Sequence, residues 1–313
     1  MATSALRRLV RRPGVERWAL RLKKAKDWTV AQLVLGGLSL TRKLPAERAL
    51  TLAERTGRRL APILPRSKLA REQLALSFPE RSDPELDEMV RGVWGHVART
   101  VAEYVFLDEL FDFDPQRPDE GRIEVQGIDN FVAIRDGGRP AIIFTGHTGK
   151  WEILPVAAAT YGLNVTALFR PPNNPYLAKH LLAARRTEGG HLVPSRAGAA
   201  WSLGGVLEER GAVGVLVDQY FGRGVPVTFF GRETKANPLV AKLARHFDCA
   251  IYPARSIRLP DGRFRLELHD AIDVPTGPNG VDVRALTQKL NTIVEGWVRE
   301  YPEQWLWLHR RWK

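Results

Sequence analysis

The feature that most limits what this chain can become is an alternation that begins at residue 123. Short runs rich in β-branched and aliphatic residues, at 123–125, 141–145, 165–169, 213–217, 250–256 and 264–268, are separated by stretches with helical spacing. Those stretches lie at 129–135, 153–161, 176–188, 199–210, 236–246 and 283–300. Strands and helices in alternation predict an α/β fold, a mainly parallel sheet covered by helices with right-handed crossovers. The run "LPDGRF" at 259–264 predicts a hairpin between the last two strands.

Two tracts precede the alternation. Residues 46–113 read as helices; the clearest begins at Asp83-Pro84 and repeats Val90, Val93, Trp94, Val97, Val101 and Val105 on one face. Residues 1–45 form a basic and apolar lead. The domain reading is therefore a membrane-associating segment at 1–45 and a single domain at 46–313, helical over 46–113 and α/β over 121–313. The chain of 313 residues, 44% hydrophobic, is long enough to bury a conventional core. Its one cysteine, Cys249, excludes an intrachain disulfide and sits in "FDCAIYPA", where it reads as the buried start of a strand.

The net charge of +12 belongs to the front of the chain. Residues 1–72 hold 18 Lys and Arg against 5 Asp and Glu, which leaves the remainder within one charge of neutrality. Such a block suits nucleic acid, an anionic membrane surface or an acidic protein partner. Residues 28–41, "WTVAQLVLGGLSLT", are uncharged. As helix they span about 21 Å, short of the roughly 30 Å hydrocarbon core. Trp18, Trp28 and the flanking Lys23, Lys24, Lys26, Arg42 and Lys43 predict an interfacial helix. The competing reading is an amphipathic helix packed on the domain. No aromatic-rich basic strand accompanies the charge, so nucleic acid is not an expected partner.

Ligands of open α/β sheets bind beyond the carboxyl ends of the strands. Three predicted strand ends carry chemistry: "TGHTGKWE" with His147 and Glu152, "LFRPP" with Arg170, and "LVDQ" with Asp218 and Gln219. An imidazole suits general base work near neutrality, and a carboxylate on one ring nitrogen fixes its tautomer. Residues five apart lie about 140° apart on a helix. Glu152 therefore reaches His147 only if His147 sits in a turn that Gly146 and Gly149 relax. The alternative has His147 capping the strand and Glu152 complementing the helix dipole. Two such ligands do not make a zinc site, and the chain has no Gly-x-Ser-x-Gly elbow, P-loop or dinucleotide fingerprint.

"GHTGKWE" resembles the His-x-x-x-x-acid motif of the lysophospholipid and glycerolipid acyltransferase superfamily. With Glu as the acid and Trp before it, it is similar to the bacterial lipid A biosynthesis (lauroyl/myristoyl) acyltransferase branch. "REQLALSFPE" (71–80), "LFRPPNNP" (168–175), "GVLVDQYFGRGVPVTFFG" (214–231) and "YPEQWLWLHRRWK" (301–313) resemble further blocks of that branch, in order. Thr148 and Lys150 stand where the branch usually has an aromatic and an Asn, and Tyr220 where a second acid is common.

The resemblance implies a membrane-associated enzyme at the cytoplasmic face of a bacterial inner membrane, working in lipopolysaccharide synthesis. It implies acyl transfer from an acyl carrier protein thioester to a hydroxyl of a lipid A precursor, with no cofactor. His147 is then the general base and Glu152 its orienter. Arg170 binds a phosphate of lipid or donor, with Arg223 a further phosphate candidate, while Asp218 and Gln219 shape the site. Phe229 and Phe230 are candidates to line an acyl channel, and the alternative for them is plain core. The C-terminal Trp305, Trp307 and Trp312 with Arg310 and Arg311 read either as a lipid-facing end or as a segment packed on the core. Two other functions stay open: transfer to another lipid, a lysophospholipid or glycosylated inositol lipid, and non-catalytic lipid binding.

Overall fold

The alternating region folds into a sheet whose two faces differ, and that difference places the site. Nine strands of the computed structural model matter here: β1 (Ile123–Gln126), β2 (Ala141–Thr145), β3 (Val165–Phe169), β4 (His191–Pro194), β5 (Ala212–Leu216), β6 (Tyr220–Phe229), β7 (Arg232–Ala236), β8 (Ala250–Arg258) and β9 (Phe264–Leu268). The structure describes residues 13–106, 112–117, 120–169, 174–177, 191–195 and 198–313. Seven strands form one sheet in the order β1-β9-β8-β2-β5-β3-β4. The five from β8 to β4 are parallel. β9 runs antiparallel to β8 through the expected 259–264 turn, and β1 lies parallel to β9.

On one face Ile142, Phe144, Val213 and Val215 are buried against Leu203, Leu207, Val240, Leu290 and Val294. Each such side chain contributes roughly 1.5–3 kcal/mol. The helices on this side are α7 (Ala199–Glu208), α8 (Leu239–His246) and α9 (Val283–Glu300). On the other face Ile143, Thr145, Gly214 and Leu216 are only half-buried, and they border a cavity.

The helical lead consists of α1 (Pro13–Thr41), α2 (Ala46–Leu60), α3 (Ser67–Ser77) and α4 (Asp83–Ala102). The Asp83-Pro84 start is real: Ser82 and Glu85 form a reciprocal capping box. α5 (Ile128–Asp136) and α6 (Ile153–Thr160) complete the set used here. The helix expected over 176–188 lies almost wholly outside the described residues.

The alternation gave no warning of β4 or of the β6–β7 hairpin. β6 lays its edge on α9, where Gln288 and Glu295 accept from the main-chain nitrogens of Thr228 and Phe230, each at 2.7 Å. The hairpin turns at Phe230 and Gly231, both at positive φ (52° and 67°). The helix expected from Ala236 starts at Leu239, because Ala236 closes β7 and Pro238 sets the cap.

Among the described residues no helix is long and apolar enough to cross a membrane. α1 turns Val34 and Leu35 toward the cavity and leaves Trp18, Trp28 and Leu33 exposed. The C-terminal segment packs on the core: Trp305, Trp307, Arg311 and Trp312 are all buried, so of its two readings the lipid-facing one is excluded. Cys249 is buried too, and burial pushes its thiol up to about 11.

Candidate active site

β2 ends at Thr145, and the next residues are shaped by close approach. A Cβ on Gly146 would lie 2.8 Å from Val294 and 3.4 Å from an Asp218 oxygen. Only a glycine lets the chain pass that near to the end of β5. His147 follows, and its main-chain nitrogen donates to Asp218 Oδ2 at 2.7 Å. Its Nδ1 lies 2.7 Å from Asp218 Oδ1. An ionised carboxylate only accepts, so Nδ1 donates to it, and in the neutral ring Nε2 then keeps its lone pair. Asp218 Oδ2 also accepts from Trp305 Nε1 at 2.7 Å.

Asp218 is 1% exposed. Burial works to raise its carboxyl, but the electrostatic interaction with the His147 ring and the hydrogen bonds from His147 and Trp305 outweigh it. They hold the group well below the usual carboxylate range, so it is ionised. The lone pair of His147 Nε2 faces the side-chain amide of Gln219 at 3.1 Å. Asp218 and Gln219 thus both touch the imidazole, one on each nitrogen.

Glu152, expected to orient His147, has a different setting. It occupies the cap position of α6, and its carboxylate takes the Tyr104 hydroxyl and stands 3.5 Å from Lys150 Nζ. The reason is electrostatic. Lys150 is fully buried, with Nζ 3.8 Å over the Tyr104 ring and donating to Thr100 O at 3.2 Å. A buried ammonium is costly without an anion, and Glu152 is the anion beside it. Nδ1 of His147, which Glu152 would have needed, is already bonded to Asp218.

The turn between them is clamped. Gly149 has φ +54°, and a Cβ there would lie 1.9 Å from Ser256 O. Its carbonyl is 3.1 Å from His96 Nε2. Burial, and then the Arg258 charge, hold His96 far below the usual imidazole range, so it is neutral and Nε2 is the donor. The C-terminal segment closes the other side: Gly149 N donates to Gln304 O at 3.0 Å and Leu306 N to His147 O at 3.2 Å. Sequence reasoning assigned His96 no role and missed the bond from Trp305 to Asp218. Nothing local marks either, since their partners are distant in the chain.

Among the remaining expected site residues, Arg170 lies outside the described residues. Arg223 is exposed on β6 and does not border the cavity. Phe229 and Phe230 do not line an acyl channel: they are buried in an aromatic cluster with Phe78, Trp305, Trp307 and Trp312. The apolar space is elsewhere. A cavity of 1930 Å³ opens beside His147, Trp151 and Glu152 and runs over the half-buried sheet face between α1, α4, α5 and α6. That is about twice the upper range for pockets of small-molecule ligands, near 1,000 Å³. Among the described residues no group of three His, Cys, Asp or Glu side chains is gathered to hold a metal ion.

A histidine hydrogen-bonded to a buried carboxylate, at strand ends and beside a large apolar cavity, is an arrangement suited to acyl transfer with long apolar chains. The chain belongs to the bacterial lipid A biosynthesis acyltransferase family, whose profile matches residues 17–313. It is 22% identical to a lipid A biosynthesis acyltransferase of Haemophilus influenzae, over 76% of this chain and 73% of that one. It is 26% identical to a lipid A biosynthesis palmitoleoyltransferase of Escherichia coli, over 89% of each. It is also 26% identical to a phosphatidylinositol mannoside acyltransferase of Mycolicibacterium smegmatis, over 72% of this chain and 73% of that one.

Proposed function

We propose that this acyltransferase moves a fatty acyl chain from an acyl carrier protein thioester to a hydroxyl of a lipid A precursor, at the cytoplasmic face of a bacterial inner membrane. The observation that carries the chemistry is the Asp218–His147 pair, at 2.7 Å. The acceptor hydroxyl displaces the Gln219 amide from Nε2 and gives its proton to that nitrogen. Its oxygen attacks the thioester carbonyl, and a tetrahedral intermediate forms. The C–S bond then breaks, and the sulfur leaves with the proton from Nε2. Asp218 stabilises the imidazolium between the two transfers. No acyl-enzyme is required, in keeping with a His147 ring bonded only to Asp218 and Gln219 among the described side chains. Glu152 borders the cavity as a fixed anion for substrate donors, and Arg170 remains a candidate for a phosphate group.

The outward Trp18, Trp28 and Leu33 of α1, among Arg21, Lys23, Lys24 and Lys26, support docking on an anionic membrane surface. The test of the acceptor is the lipid profile of a strain lacking the gene. Lipid A short of one secondary acyl chain is expected; lipid A that keeps all of them overturns the assignment. A second acceptor class rests on the inositol mannoside relative. Loss of an acyl chain from a glycosylated inositol lipid in the same strain supports that class instead.

A further inference from the structure

The cavity beside His147 changes character on one side of its mouth. Arg66, His309, Arg310 and Lys313 border it there, next to Tyr220. Arg66, Arg310 and Lys313 are exposed, and among the described residues no carboxylate lies within ion-pair distance of any of the three. Arg135, which also borders the cavity, is by contrast paired with Asp136 at 2.7 Å.

These cations stand on a rigid mount. Leu306 N donates to His147 O at 3.2 Å, which ties the segment to the catalytic turn. Arg310 is four residues on, at most about 14 Å even if the chain were extended. It is less than that, since His309 N turns back to Leu306 O at 3.3 Å. Arg311 is buried against Asn291 Oδ1 at 2.6 Å and Lys235 O at 3.1 Å. With Trp312 also buried, the side chains on either side of that anchor, Arg310 and Lys313, are left facing out. Arg66 Nη1 donates to Leu308 O at 3.2 Å. The Lys313 ammonium lies 5.0 Å from the Tyr220 ring, one residue from the Gln219 that meets His147 Nε2.

Cations with no carboxylate partner among the described residues, held at the mouth of the cavity that His147 borders, call for an anion. A guanidinium and an ammonium at the rim of one cavity suit the several oxygens of a phosphate ester. We propose that Arg310 and Lys313, backed by Arg66, form a phosphate subsite that holds one end of a substrate while another part reaches His147. The proposal rests on the acyl-transfer reading. The phosphate has two possible sources: the glycolipid acceptor, or the phosphodiester of the donor's pantetheine arm.

The test compares the full chain with an Arg310→Gln/Lys313→Gln variant in neutral detergent micelles, where no bilayer charge intrudes. Both positions are exposed, so an unchanged Tm is the folding control. Initial rates are measured with phosphorylated and dephosphorylated glycolipid acceptor, and with carrier-protein thioester and a phosphate-free pantetheine thioester. The variant should raise KM about 10- to 100-fold for a phosphate-bearing substrate, the scale of one or two charged hydrogen bonds, with kcat little changed. A penalty that vanishes on the dephosphorylated acceptor places the acceptor's phosphate in the subsite. One that vanishes on the phosphate-free donor places the donor's there. Equal KM values for variant and wild type, or a penalty indifferent to phosphate, overturn the proposal. If the wild type turns over no pair, the acyl-transfer reading fails by itself. The subsite is then judged by calorimetry with inorganic pyrophosphate, which the wild type should bind at least about tenfold more tightly than the variant. Equal binding, or none by the wild type, overturns it.

Discussion

Replacing Asp218 by Asn separates the roles of the two acids around His147. Two donors, His147 N and Trp305 Nε1, converge on Oδ2 at 2.7 Å each. In the variant the amide oxygen stays with those two donors, and the amide nitrogen takes the place of Oδ1, 2.7 Å from His147 Nδ1 in the present geometry. An NH₂ group donates, so Nδ1 must become the acceptor and the ring proton moves to Nε2. The lone pair that takes the substrate proton in the proposed mechanism is then gone. A change of this kind costs about a thousandfold or more in kcat. Glu152→Gln leaves the imidazole tautomer alone and weakens the contacts to Lys150 and Tyr104, at a cost of about tenfold. The assay is the initial rate with carrier-protein thioester and lipid acceptor, with circular dichroism to verify folding. The reasoning is refuted if Glu152→Gln is the more damaging change, or if Asp218→Asn stays within about tenfold of wild type.

Three further outcomes are expected. Gly149→Ala forces a left-handed backbone, at about 1–2 kcal/mol, and meets Ser256 O, so Tm should fall. Displacement of the catalytic turn should lower kcat about a hundredfold. Lys150→Met leaves the Glu152 carboxylate beside Tyr104 without its ammonium, and denaturant titration should show a loss of about 3 kcal/mol. Burial raises the Glu267 carboxyl, but hydrogen bonds from His269 and Arg255 bring it down to about 2, against an ordinary value of 4.5. Its stabilising contribution is therefore complete above pH 4.5 and is lost as pH falls toward 2. Glu267→Gln should flatten the urea midpoint's fall over that interval, and an unchanged slope would show that other groups cause it.

Much of this was legible from residue order. Runs such as "AIIFT" and "AVGVL" sit in a central parallel sheet, with one face buried under helices and the other lining an apolar cavity, so both faces are apolar. β6 was obscured because "YFGRGVPVTF" mixes Gly, Arg and Pro with apolar residues, and its pairing is set by α9 and β7. β4, four residues long, has too little pattern to stand out. At the site, His147 and the glycine turn were readable because they are local. Its partner was misassigned because Glu152 is close in sequence, whereas Asp218, 71 residues away, is close in space. Parallel strands β2 and β5 are neighbours in the sheet, so their ends meet; only topology makes that visible. Lys150 was inexplicable without α4, whose Thr100 surrounds it along with Tyr104 just beyond the helix end. The sequence leaves Trp305 open between a lipid-facing end and a segment packed on the core, and its indole N–H acts in the interior.

The most direct measurement mixes purified full-length protein with an acyl carrier protein thioester and a lipid A precursor and follows the lipid by mass spectrometry. Wild type is expected to yield a product heavier by one acyl chain, and His147→Ala to slow its formation at least about a hundredfold. Product formed at the same rate by both proteins would contradict the assignment of His147 as the base.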